Sequence, residues 1–160
     1  MTAYNVGPVV FGGVSMVTAT LGPNDPELGT TTRFGDEEYV FVYNAGNSQI
    51  SPAYGATVSA VSGYSVTVSS VTDVDLLVGV CRHATLTTAT YGWLVTKGFV
   101  QIQMGTDNSM AAGGLVGLGV DGKFAPKSLS TGVPAPAFGK AMAAIASGAS
   151  GTAYIRAFSF

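Results

Sequence analysis

The sequence predicts an all-β fold, a small β-barrel or β-sandwich domain of short antiparallel strands over residues 31–160, preceded by an extended N-terminal arm and connector over residues 1–30. Three observations carry that prediction. Short runs of β-prone residues recur about every ten residues with turn residues between them, the pattern of a sandwich or barrel. Glycine is abundant, 22 of 160 residues, and together with proline it punctuates the ends of these runs. Charged residues make up only 10% of the chain, against roughly 25% in ordinary soluble domains. The apolar content is ordinary at 47%, so the chain has the means to fold, and its surface is neutral and rich in hydroxyls.

The elements follow in order. Charge is absent before Asp25, and two breaks, Gly7-Pro8 and Gly22-Pro23, bracket the apolar stretch "VVFGGVSMVTATL". This stretch has no periodic core partner of its own. It is read as an arm in which Val9, Val10, Phe11, Val14, Met16 and Val17 contact a neighbouring subunit or partner. A first strand of the domain's own sheet is the alternative. "LGPNDPELG" is a turn-rich connector. In "EEYVFVYN", Tyr39, Phe41 and Tyr43 share one face, with Val40 and Val42 on the other. Both faces are apolar, which predicts a strand covered on both sides. "AGNS" supplies turn residues. "YSVTVSS" alternates Tyr64, Val66 and Val68 with Ser65, Thr67 and Ser69, one core face and one hydroxyl face. "LLVGVC" is a buried run in which Gly79 marks a bulge or a close backbone approach.

The stretch "YGWLVTKGFVQIQM" holds the only tryptophan. Lys97-Gly98 reads as a tight connection between strands "GWLVT" and "FVQIQM", since glycine supplies the positive φ that hairpin turns need. Val100, Ile102 and Met104 then face inward. Gln101 and Gln103 face outward, neutral hydrogen-bonders suited to water or to a partner protein. Asp121-Gly122 is a strong turn dipeptide after "GGLVGLGV", and "APKSLSTGVPAPAFG" is a proline-rich loop. Phe138, Met142 and Ile145 have helical spacing, yet "SGASG" reads as a turn into a final strand "TAYIRAF". Periodicity alone leaves residues 139–147 open between helix and strand.

The residues offer little chemistry. The seven basic residues are scattered along the chain, Arg33, Arg82, Lys97, Lys123, Lys127, Lys140 and Arg156, with no basic run to mark a nucleic-acid binder. The N-terminus has no cationic signal region and is too interrupted to span a membrane. The one cysteine, Cys81, lies in an apolar run and reads as a small buried hydrophobe. With one histidine, His83, the chain has no histidine-based zinc set, and His83 reads as a loop or interface residue. Asp36, Glu37 and Glu38 read as a solvated turn; Asp73 and Asp75 share a face if extended, a weak Ca²⁺ possibility that lacks the ligand set of an EF-hand. Gly114, Gly117 and Gly119 have the wrong spacing for a phosphate cradle. Tyr4, Tyr54, Tyr64 and Tyr91 are candidates for a sugar-stacking platform, with core or interface packing the commoner role. No cofactor, metal site or catalytic set is expected, and the chain is read as a non-enzyme.

Three pieces in sequence carry a family resemblance: "GDEEYVFVYNAGNSQISPAYGATV", then "TATYGWLVTKGFVQIQM" with its "YGW…KG" pattern, then the closing "FGKAMAAIASGASGTAYIRAF". In this order, over about residues 36 to 158, they resemble the capsid decoration (cement) proteins of tailed bacteriophages. The resemblance implies a β-barrel-like or sandwich domain, no enzymatic activity, and homo-oligomers, often trimers, seated on an icosahedral shell. It also implies that 139–147 is strand. Its expected partners are the major capsid protein and further copies of the chain, with no nucleic acid and no membrane. The location it implies is the capsid surface of a virion assembled in the bacterial cytoplasm. The alternative, motivated by the tyrosines and the threonine-rich loop, is a carbohydrate- or receptor-binding module of a tail or fibre.

Overall fold

The computed structural model describes residues 17–22, 25–59, 64–68, 77–127 and 137–157. Over these the chain forms eleven strands, with no α-helix among the described residues. They are β1 (Val17–Thr18), β2 (Thr31–Phe34), β3 (Glu37–Asn44), β4 (Gly55–Val58), β5 (Ser65–Val68), β6 (Leu77–Cys81), β7 (Tyr91–Gln103), β8 (Leu115–Leu118), β9 (Phe124–Lys127), β10 (Gly139–Ala141) and β11 (Ser150–Arg156). The hydrogen-bonded order is β2-β3-β5-β4-β6-β7-β11-β10-β8-β9, with β1 added on β7 and with β3 also paired to β7. The β3–β5 pair is parallel and the other pairs are antiparallel. The sheet folds over itself into a sandwich-like arrangement and does not close as one barrel. This agrees with the all-β sandwich expected from the turn spacing.

The hairpin expected at Lys97-Gly98 is absent. Tyr91–Gln103 is one continuous strand of 13 residues. Gly98 does have positive φ, +126°, but it bends the strand without reversing it. The reason lies in the partners. Before the bend β7 pairs with β3, Tyr39 opposite Val95 and Val40 opposite Leu94; from Lys97 onward it pairs residue by residue with β11. Between these segments the register slips, because Glu38 lies opposite Lys97 while Tyr39 lies opposite Val95. Thr96 is the extra residue of this bulge, and its hydroxyl donates to the Glu38 carbonyl at 3.1 Å. A bulge and a glycine let one strand serve two parts of the sheet.

Two apolar clusters result. One face of β7 supplies Val95, Val100 and Ile102, joined by Met104 just after the strand, to a core with Tyr39, Leu77, Val80, Phe124, Phe138 and Ile155. The other face supplies Leu94 to a second core with Val40, Val42, Ile50, Val66, Val78 and Cys81. Strand β3 is therefore covered on both sides, as its doubly apolar pattern predicts. Phe41 is fully buried, with Trp93 at 5.1 Å and Tyr91 at 6.2 Å between ring centroids. Strand β6 is buried along its whole length. Gly79 there is both things its position suggested: the register slips beside it, and a Cβ would meet the Val95 carbonyl oxygen at 2.7 Å.

The other turns behave as their residues dictate. Asp121 (φ 56°) and Gly122 (φ 75°) both occupy the left-handed region, and the Lys123 amide donates to the Val120 carbonyl at 3.0 Å, closing the β8–β9 turn. Pro126 sits in β9, at one end of the strand order, where a missing amide is tolerated. Residues 139–147 are not a helix, and strand covers only their first three residues. After β10 the chain turns, and Ile145 returns to exchange backbone hydrogen bonds of 2.8 and 2.9 Å with Met110. Ile145 reaches the core through these contacts and Phe138 through its amide, which donates to the Val116 carbonyl at 2.8 Å, while Met142 is 54% exposed, so their helical spacing is incidental.

Candidate functional site

Beyond its bulge, β7 keeps one face on the core and turns the other outward. Four cross-strand pairs line this outward face, Lys97 with Arg156, Phe99 with Tyr154, Gln101 with Thr152 and Gln103 with Ser150. The glutamines point where the alternation of "FVQIQM" places them. Gln101 Nε2 donates to Thr152 Oγ1 at 3.3 Å. Ser150 Oγ donates to Gln103 Oε1 at 2.6 Å, and Gln103 Nε2 donates to the Gly148 carbonyl at 2.7 Å. These amides and hydroxyls satisfy one another and make a level, uncharged strip. Phe99 is 46% exposed and meets Tyr154 edge-on at 5.2 Å. Met142, whose amide donates to the Thr152 carbonyl at 3.0 Å, borders the same face.

The face continues across the neighbouring strands. Lys140 of β10 lies opposite Tyr154 and Leu115, and Leu115 lies opposite Lys127 of β9. Lys127 stretches over Gly117, where a Cβ would run into its methylenes. On the other flank Glu38 pairs with Lys97 and Arg33 pairs with Glu38. Lys97 Nζ donates to Glu38 Oε1 at 2.9 Å. That hydrogen bond holds the Glu38 carboxyl below the usual range, helped by the charges of Lys97, Arg33 and Arg156. Arg33, Glu38, Lys97 and Arg156 thus form one row across four strands. Basic residues scattered in sequence become neighbours here: Arg33, Lys97 and Arg156 line up through Glu38, and Lys140 lies one strand further, opposite Tyr154. Sequence reasoning missed this because it depends on long-range register. The one available signal was that Lys140 and Arg156 each sit in a strand beside an apolar residue, Ala141 and Ile155.

The arm residues Val9, Val10, Phe11, Val14 and Met16 lie outside the described residues. Val17 is described: it pairs with Gly92 on β7 and packs half-buried against the second core. The tyrosine platform does not assemble among the described residues. Tyr54 and Tyr64 pack against the second core, and Tyr91 packs on Tyr43 at 4.7 Å; Tyr4 is outside the described residues, as are Asp73 and Asp75.

Of the acidic trio, Asp36 lies in the exposed turn expected of it, and the other two do not. Glu37 and Glu38 belong to β3 and point to opposite faces, Glu38 to Lys97 and Glu37 to Arg82. Glu37 also accepts from the Tyr39 hydroxyl at 2.6 Å. Burial, reinforced by that bond, pushes the Tyr39 phenol up to about 12. His83 is exposed and stacks against Tyr39 at 6.4 Å; partial burial and the Arg82 charge hold its imidazole below the usual range. Cys81 is buried, with Sγ 2.9 Å from the Ala84 carbonyl, and burial pushes its thiol up to about 11. A thiol so placed is an inert core group.

No protein-family model matches the sequence, and no curated protein matches it. Among solved structures the chain is similar to the head fiber gp8.5 N base in bacteriophage phi29, with a TM-score of 0.53 and 17% sequence identity. The match covers 73% of this chain and 93% of that one, and it is a likeness of fold.

Proposed function

We propose that this chain is a structural protein of a tailed-phage virion, that it binds the outside of the capsid, and that it stabilises the shell by bridging capsomers. The observation that carries the reading is the fold shared with a phage head-fiber base, extending over 93% of that chain. The sequence-order resemblance to capsid decoration proteins points the same way. In this reading the chain performs no reaction. It works by adhesion, as a homotrimer on the major capsid protein, and the arm carrying Val9, Phe11 and Val14 reaches a neighbouring copy or the shell. Weak single contacts suffice, because a bridging oligomer engages several sites at once.

One observation favours a second reading. The similar structure is the base of a fiber, so a fiber-associated module that presents a receptor- or glycan-binding surface belongs to the same structural class. Adding the purified chain to shells that lack it separates the two. A cement binds at many sites and raises the temperature or the force at which the shell breaks. A fiber module binds few sites and leaves shell strength unchanged.

A further inference from the structure

Among the described residues, the outward face of β7, β11 and β10 combines cations, neutral hydrogen-bonders and exposed apolar side chains. The sequence carries nine acidic and seven basic residues, yet Lys97, Arg156 and Lys140 lie on three adjacent strands of this face and Arg33 continues the row beyond Glu38, with Asp36 in the turn at its edge. We propose that this face is the docking surface and that its partner is an acidic protein surface on the outside of the shell. The proposal rests on the capsid reading above and names the partner's chemistry.

Charge complementarity decides the occupant. Two copies meeting through this face would oppose like charges, which disfavours a symmetric self-contact. Nucleic acid suits it less well than protein. Glu38 interrupts the cationic row, and the exposed aromatic is held edge-on to Tyr154, so it offers no ladder of ring faces to successive bases. The strip of Gln101, Thr152, Gln103 and Ser150 is already internally hydrogen-bonded, so covering it strands few polar groups. Phe99 and Met142 are large, exposed apolar side chains on or beside the cations, 46% and 54% exposed, the combination that anchors protein interfaces.

The test uses the full chain and shells purified without it. Lys140→Gln with Arg156→Gln removes two positive charges from the face. Ser48→Glu with Thr88→Glu adds two negative charges at exposed loop positions away from it, so both pairs lower the net charge by two. The face pair should weaken shell binding about tenfold and flatten its salt dependence, while the loop pair binds as the unaltered chain does. Phe99→Ala should weaken binding and leave the salt dependence intact. If the face pair binds shells as well as the unaltered chain, the docking face is misassigned while the capsid reading stands. If the unaltered chain does not bind shells at all, that reading fails and the proposal falls with it. Tighter binding to a DNA oligonucleotide than to shells, or dissociation of the chain's own oligomer by the face pair, would overturn the proposal in favour of nucleic acid or of a copy-to-copy interface.

Discussion

Replacing Gly98 by alanine tests the bend on which both the core and the outward face depend. At φ +126° Gly98 lies beyond the left-handed well that other residues occasionally occupy. Forcing a side chain there costs about 1–3 kcal/mol in backbone strain. A Cβ would also sit 2.8 Å from Glu37 Cγ and 3.1 Å from Glu37 Cα, so β3 and β7 would have to separate locally. That overpacking adds about 1 kcal/mol or more. The expected loss is about 3 kcal/mol, which for a chain of this size lowers Tm by about 6–12 °C. Gly35→Ala is the matched control. Gly35 also has positive φ, +59°, but nothing lies within 4 Å of its would-be Cβ. It should lose only the left-handed cost, about 1 kcal/mol or 2–4 °C. Thermal unfolding followed by circular dichroism reads both. If Gly98→Ala is no worse than Gly35→Ala, the close approach of β3 to the bend is wrong, and a turn at Lys97-Gly98 returns as the better description.

Asn44 is fully buried; its amide nitrogen reaches the carbonyls of Ser48, Leu86 and Thr87 at 3.0–3.1 Å and its oxygen accepts from the Gly46 amide at 3.0 Å. Asn44→Ala strands these groups and should cost about 2–4 kcal/mol in denaturant unfolding; a loss within 0.5 kcal/mol, about the noise of a neutral surface change, would contradict that role. Thr57 Oγ1 is buried without a hydrogen-bond partner. Thr57→Val should therefore raise stability by about 1 kcal/mol, or 2–4 °C in Tm, and a drop in Tm would mean that the hydroxyl has a partner after all. Deleting residues 2–16 leaves β1 in place and should abolish shell binding while Tm changes little; undiminished binding would remove the arm from the proposed function.

Much of the architecture was legible because local pattern and tertiary role agree. Strand β3 has two apolar faces and two cores, Gly79 sits at a close approach, and Asp121-Gly122 makes its turn. The failures have a common cause. Lys97-Gly98 carries a turn residue, but whether positive φ reverses a strand or bends it depends on what pairs beyond it, and β11 lies more than 50 residues further along. Phe138 and Ile145 are held in the core by backbone bonds to Val116 and Met110, which also lie outside any local window of sequence. The cationic face belongs to the same class: no window of sequence places Lys97, Lys140 and Arg156 on neighbouring strands, and only the β7-β11-β10 register does so. Asn44 reads locally as the polar end of a strand, and its buried hydrogen bonds to residues 86 and 87 have no local trace.

The measurement that bears most directly on adhesion to a shell is the copy number of this chain in purified virions, by quantitative mass spectrometry against the major capsid protein. A shell-bridging protein should be present at on the order of hundreds of copies per particle, as multivalent coverage of a shell requires. Absence from the particle, or presence at only a handful of copies, would contradict it.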